Sequence, residues 1–384
     1  MKRALCSVLL TACAVDAQTT ETESPVVLSS SFEAVKPALR DTQWRDARCN
    51  DGTPFGFYVR RSPPSTDWVI YFEGGGFCDD NAHPCDQRAA TRPELITTIP
   101  EADGTLTTLP VGGLVSTDPA ANDFAGANLV YAHYCSSDFW AGNTDGRIAT
   151  TGGDWFGKGH RNVEAMLGML AAQYGLDDAD PATRVLVAGG SSGGFAVHLN
   201  ASRVEAALPA TSAAHRVKLV VDAGWFHAWN WDVVKLTYPD TTSHYFADAI
   251  GPDRGMSAQF RQFWNATYDP ACEASAPAPA DCLFGGYWYP VLRKRLPILV
   301  QQSNADSAFA LGEHALVDGS SQMSAWRSQL SSSQQSVDWL FSGSKPYHTL
   351  TGSNAGLTVG PPGASLRTVI WSFWTGQPAQ RVVF

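Results

Sequence analysis

The stretch Val185-Leu-Val-Ala-Gly-Gly-Ser-Ser-Gly-Gly-Phe-Ala196 decides how the rest of the chain is read. A short run of β-formers stops at a cluster of glycines and serines. A helix-compatible segment, Phe195 to Ala207, follows at once, which is the strand–turn–helix context of a G-x-S-x-G nucleophile elbow. In a chain with 34 glycines the bare pattern carries little, so the context carries the reading. Two overlapping frames fit, one centred on Ser191 and one on Ser192. Ser192 is preferred because it leaves two glycines after it, where the turn needs unusual backbone angles and the helix must start close to the strand. The competing structural reading is a Ser/Gly turn whose hydroxyl caps a helix.

Working outward, 384 residues with 44% apolar content are enough to bury a large core, and no periodic repeat is evident. Lys2 and Arg3, an apolar run from Ala4 to Ala12 and small residues after it read as an export signal over residues 1–17, too short to span a bilayer. Cleavage after Val15-Asp-Ala17 competes with a lipoprotein-type site at Leu10-Thr-Ala-Cys13, and only lipidation of Cys13 would make a membrane a partner. Residues 18–44 read as a polar tether, most of it too poor in apolar surface to fold alone. The formal charge is −10, and removing residues 1–17 takes out Lys2, Arg3 and Asp16, which leaves −11. That balance argues against a nucleic-acid partner, which would call for a basic face.

Dropping Cys6 and Cys13 with the signal leaves six cysteines, an even count that behind an export signal reads as disulfides. Cys78 with Cys85 and Cys272 with Cys282 are close enough to close small loops, and elimination then pairs Cys49 with Cys135, one choice among fifteen connectivities. The chain has no C-x-x-C, so no metal site is expected.

Pro54 to Arg61 and Asp67 to Phe72 read as strands joined by the turn Ser62-Pro-Pro-Ser-Thr66. The second runs into Glu73-Gly-Gly-Gly-Phe77, and bare backbone N–H groups at such a strand exit suit half of an oxyanion hole. Asn128 to His133 is another strand. Val163, Met166, Leu167 and Leu170 recur at helical spacing between Gly159 and Tyr174, and the strands Val217–Val221, Pro297–Gln302 and Val337–Phe341 and a helix Ser365–Trp374 follow. The expected fold class is therefore α/β: a mostly parallel sheet with helices on both faces, one domain over residues 45–384, and an inserted cap at about residues 236–292. After Val221 comes Asp222-Ala-Gly-Trp-Phe-His-Ala-Trp-Asn-Trp231, whose rings, Trp225 and Phe226 first, read as substrate-pocket lining, with core as the alternative.

A nucleophilic serine needs a histidine base and an acid to orient it, in the chain order serine, acid, histidine. Asp306, in the exit loop of Pro297–Gln302, is the expected acid, with Asp222 as runner-up. His348 follows the last strand and is the expected base; His314, on an expected helix from Ser307 to Leu316, reads more naturally as a surface residue. Ser192, Asp306 and His348 would form and cleave an acyl-enzyme, with the N–H groups of Gly75, Gly76 and Gly193 holding the oxyanion and no cofactor required.

Cys49-Asn-Asp-Gly-Thr-Pro54, Tyr71-Phe-Glu-Gly-Gly-Gly-Phe-Cys78 with Cys85, Tyr134-Cys-Ser-Ser-Asp138, Gly190-Ser-Ser-Gly-Gly194, Asp222-Ala-Gly-Trp-Phe226, Asn304-Ala-Asp306 and His348 together resemble the pectin acetylesterase and Notum carboxylesterase family, an α/β-hydrolase group. The set runs in family order from about residue 45 to 350. The resemblance implies the same triad and oxyanion donors, and supports the Cys49–Cys135 and Cys78–Cys85 pairings. Family members usually carry alanine after the nucleophile, where this reading places Gly193, and often a bulky aromatic at the position of Gly76. The residues flanking His348 also depart from the plant enzymes. These departures bear on the substrate rather than the reaction. The expected function is a secreted serine carboxylesterase that deacetylates a polysaccharide such as pectin. The alternatives are a lipid or protein O-deacylase of the Notum type and, in another class, a non-catalytic secreted binding protein.

Overall fold

The structure is a computed structural model that describes residues 30–80, 83–227, 255–308 and 321–384. The expected signal, Cys13, Trp229, Trp231, His314 and the part of the cap before residue 255 lie outside the described residues.

The strands that read as unbroken apolar runs are buried on both sides. β1 is Phe32–Val35, β2 Phe57–Arg60, β3 Asp67–Phe72, β4 Leu106–Thr107 and β5 Asn128–Ala132, with β6 Ile148–Thr150 and β7 Gly153–Trp155 forming a separate hairpin. β8 is Arg184–Gly190, β9 Val217–Asp222, β10 Ile298–Gln301, β11 Trp339–Ser342 and β12 Arg381–Val383. The main sheet has the order β12-β11-β10-β9-β8-β3-β5-β2-β1-β4. Neighbours are parallel from β12 to β5 and antiparallel from β5 to β4.

Alternation along each strand divides the core into two layers, because successive side chains leave a strand on opposite faces. Val185 and Val187 of β8, Ile70 and Phe72 of β3, and Leu219 and Val221 of β9 share one layer with Val163, Met166, Leu167 and Leu170 of the crossover helix Gly159–Tyr174. Leu186, Ala188, Val69, Tyr71 and Val220 share the other with Val369, Ile370 and Phe373 of the helix Leu366–Trp374. The crossover helix stops at Gly175, whose φ of 72° makes it the left-handed cap.

One boundary moves. Phe32–Val35, read as tether, is instead β1, hydrogen-bonded between β2 and β4 with Phe32 and Ala34 buried. Arg40, also in that segment, bridges Glu33 and Asp103. Four residues beside a polar tract give too short a window for periodicity to register. The described part of the cap segment packs Phe260, Trp264 and Trp288 into the same core layer as the sheet. Cys49–Cys135, Cys78–Cys85 and Cys272–Cys282 are all bonded.

Candidate active site

β8 pairs with β3 as far as Gly189 opposite Phe72, and with β9 as far as Gly190 opposite Asp222. The chain must reverse into a helix at the very next residue. That residue is Ser191, with φ 57° and ψ −124°, a sparsely populated conformation for a side-chain-bearing residue, while Ser192 already begins the helix Ser192–Leu199. Ser191 lines the central cavity. Ser192 is 1% exposed, and its hydroxyl donates to the Gly76 carbonyl at 2.8 Å. The preference for Ser192 at the apex of the turn is therefore corrected: the structure places Ser191 there.

The glycines around the turn are spacers. A Cβ on Gly193 would lie 2.0 Å from the Phe72 carbonyl oxygen, and one on Gly74 would lie 2.3 Å from that of Gly190. Gly193 thus lets the helix start against the end of β3, and with Ser191 at the apex the backbone N–H that follows it belongs to Ser192. The alanine that family members carry after the nucleophile then corresponds to Ser192. Gly75 and Gly76, with φ 147° and 75°, line the same cavity beside Ser191.

His348 and Asp306 leave neighbouring strands, β11 and β10, and meet. His348 Nδ1 lies 2.8 Å from Asp306 Oδ1 and 3.0 Å from Oδ2. Asp306 is fully buried, and it also accepts from the Gln302 amide at 2.9 Å and from the Ala308 N–H at 2.9 Å. His348 reaches the cavity wall that Ser191 also lines.

Asp222, the runner-up acid, faces the loop beyond His348. Its Oδ2 accepts from Leu350 N, Thr351 N and Thr351 Oγ1, and its carbonyl accepts from Ser191 N at 2.9 Å. It ties the serine turn to the histidine loop from beneath. Burial pushes its carboxyl up to about 6. An unfolded aspartate titrates near ~3.9, so the folded chain holds this proton to higher pH, and the associated stability, complete below that value, is lost as pH rises through about 6. Asp222→Asn cannot ionise. The stability of wild type minus that of Asp222→Asn is expected to fall by about 2 kcal/mol between pH 4 and 7, read from urea unfolding at each pH. A difference that stays constant would rule out the buried titration.

The cavity has a volume of about 610 Å³. Phe77, Phe139, Phe195 and Phe226 make an apolar wall, with ring centroids 4.4 Å apart for Phe77–Phe139, 4.6 Å for Phe139–Phe195 and 4.3 Å for Phe195–Phe226. Glu73, Tyr131 and Arg92 supply polar groups elsewhere on its surface. Of the two rings expected in the pocket, Phe226 lines it and Trp225 does not. Trp225 is 1% exposed, packs on Trp288 and Tyr289 and donates its indole N–H to Ser333. Its link to the site is its backbone N–H, which donates to Gln302 Oε1 and so orients the amide that holds Asp306. Phe139 and Phe195 were not marked by the sequence. Phe139 sits in a loop of positive-φ residues, Ser137, Phe139 and Trp140, held by the buried Asp138, which accepts from Ser136 Oγ, Trp140 N and Gly159 N. No local pattern announces such a wall.

A parallel sheet flanked by helices, with a serine turn leaving β8 and a carboxylate–imidazole pair leaving β10 and β11, defines an α/β-hydrolase. The pectinacetylesterase family model matches residues 29–340, and the chain belongs to that family. It is 31% identical over 269 residues to palmitoleoyl-protein carboxylesterase NOTUM of Homo sapiens, covering 68% of this chain and 49% of the human protein. The Drosophila melanogaster NOTUM is 29% identical over 264 residues, covering 68% of this chain and 36% of the fly protein. The chain thus spans about half the length, or less, of these relatives. The crystal structure of the Wnt deacylase Notum from Drosophila superposes with a TM-score of 0.75 at 24% identity, covering 92% of this chain and 96% of that one. A Danio rerio relative, 38% identical over 100 residues that cover 25% of this chain and 66% of that one, is named an inactive palmitoleoyl-protein carboxylesterase.

Proposed function

We propose that this protein is a secreted serine carboxylesterase in which Ser191 is the nucleophile, His348 the base and Asp306 the acid that orients it. The observation that carries the reading is the position of Ser191 at the strained apex, on one cavity with the Asp306-bound His348 and the glycine loop. His348 takes the Ser191 proton as the hydroxyl oxygen attacks the ester carbonyl. The oxyanion is received by the N–H groups of Gly75, Gly76 and Ser192, the alcohol leaves with the proton from His348, and water cleaves the acyl-enzyme by the same steps in reverse.

The substrate is an acylated polysaccharide, with acetyl as the acyl group. Glu73, Tyr131 and Arg92 offer hydrogen bonds to the hydroxyls of a sugar alcohol, and Gly76 leaves the loop open above them. A second reading, a longer acyl chain on a lipid or protein, is favoured by the four phenylalanines and by the palmitoleoyl-protein specificity named for the relatives. Rates on p-nitrophenyl esters from acetate to palmitate, with acetate release from acetylated pectin and xylan, separate the two. Highest kcat/KM on acetate with release from a polymer supports the first reading, and a maximum at long chains replaces it with the second. A folded wild type that turns over no ester would leave only a binding role.

A further inference from the structure

Gly75 and Gly76 both sit at positive φ and carry no side chain, so nothing within the loop holds its peptide planes in one orientation. The hold comes from outside. Arg88, on the helix Cys85–Thr91, donates from Nη1 to the Gly75 carbonyl at 2.7 Å. In a trans peptide the C=O and the N–H point in opposite directions. Fixing the Gly75 carbonyl on Arg88 therefore turns the Gly76 N–H the other way. The Ser192 hydroxyl fixes the next plane through the Gly76 carbonyl.

Arg88 is itself built in. It is 7% exposed, its Nε donates to Ser137 Oγ, and Ser137 in turn donates to Asn50 Oδ1 at 2.6 Å. Its guanidinium lies 5.5 Å from the centroid of the Tyr134 ring, and its helix is clipped by Cys78–Cys85 to the residue two beyond Gly76. Among the described residues no carboxylate pairs with it. Burial pulls its pKa down, yet a guanidinium stays protonated in a protein. A buried cation that touches no carboxylate, with Asp138 and Glu94 acting on it only at longer range, is costly to keep for packing alone. This one lies one peptide from where negative charge would develop.

We propose that Arg88 is the positioning residue of the oxyanion loop, orienting and polarising the Gly75–Gly76 peptide so that its N–H meets the oxyanion. The proposal rests on the esterase reading. It has a distinctive test, because a second cavity of about 280 Å³, lined by Gly75, Gly76, His83, Gln87, Arg88 and Arg92, reaches Arg88. Free guanidinium ion can enter where the side chain has been removed.

The full-length protein, Arg88→Ala, Arg88→Lys and Ser137→Ala are compared on p-nitrophenyl acetate. Arg88→Ala is expected to lose about a hundredfold in kcat with KM little changed, with the pH profile of the wild type and with part of the loss restored by non-denaturing guanidinium chloride, which leaves wild type unaffected. Arg88→Lys, charged but without the fork, is expected to stay impaired. If Arg88→Ala does not fold, a kcat-selective loss in Arg88→Lys and a smaller one in Ser137→Ala support the proposal. Folded Arg88 variants with wild-type kcat overturn it, as does a loss that guanidinium does not restore and that follows the thermal midpoint. Those results leave the esterase reading intact, whereas a wild type without esterase activity overturns both.

Discussion

Ser191→Ala is expected to lower kcat on any accepted ester by on the order of 10⁶-fold, and Ser192→Ala by no more than about tenfold. The two hydroxyls are one residue apart but differ in geometry. Ser191 is held at φ 57° by pairing that runs to Gly190 on one side and a helix that starts at Ser192 on the other, and it lines the cavity with His348. The Ser192 hydroxyl is committed to the Gly76 carbonyl at 2.8 Å, on a residue 1% exposed. Removing it loosens one oxyanion-loop plane by about the worth of a neutral hydrogen bond, ~1 kcal/mol, while its backbone N–H remains. Initial rates on p-nitrophenyl acetate check both variants, and peptide mapping after reaction with a p-nitrophenyl phosphonate identifies the residue that takes the phosphorus. Phosphonylation at Ser192, or equal losses in the two variants, would return the nucleophile to the helix.

That one-residue ambiguity shows what a sequence can carry. The serine turn, the glycine loop and the Asp306–His348 pair were legible because each follows a strand whose apolar run is visible locally, and chain order did the rest. The frame was not, because Gly189, Gly190, Gly193 and Gly194 satisfy G-x-S-x-G around either serine. What separates them is where β8 stops pairing with β9, a contact between segments some thirty residues apart. Trp225 failed for the same kind of reason. A large ring in a loop after a strand suits a pocket or a core equally, and Trp288 and Tyr289, some sixty residues on, settle it as core. Arg88, Phe139 and Phe195 carry no signature at all, since their places depend on how the loops after β3 and β5 and the helix after β8 converge.

Asp306→Asn is expected to lower kcat by about 10⁴-fold, while Asp222→Asn changes it by less than about tenfold. Both aspartates end or follow a central strand and both are buried, but they meet different groups. Among the described residues, Asp306 meets three donors: His348 Nδ1, the Ala308 N–H and the Gln302 amide. An asparagine must turn its NH₂ toward one of them. Placed at Oδ1 it opposes Ala308 N–H. Placed at Oδ2 it opposes Gln302, whose amide cannot flip in relief because its Oε1 accepts the Trp225 N–H at 3.2 Å. His348 Nδ1 lies within 3.0 Å of both positions and is the one donor that can become an acceptor, so it faces the NH₂ unprotonated, which leaves the proton on Nε2, where the nitrogen that should accept from serine can no longer do so. The negative charge that would stabilise the imidazolium is lost as well. Around Asp222 the donors belong to Leu350 and Thr351, and an asparagine oxygen can still accept from them while its NH₂ takes the place of Oδ1. The two variants, compared in kcat with thermal midpoints alongside, therefore separate an acid that sets a tautomer from one that holds a loop. A large loss in Asp222→Asn beside a small one in Asp306→Asn would exchange the two roles.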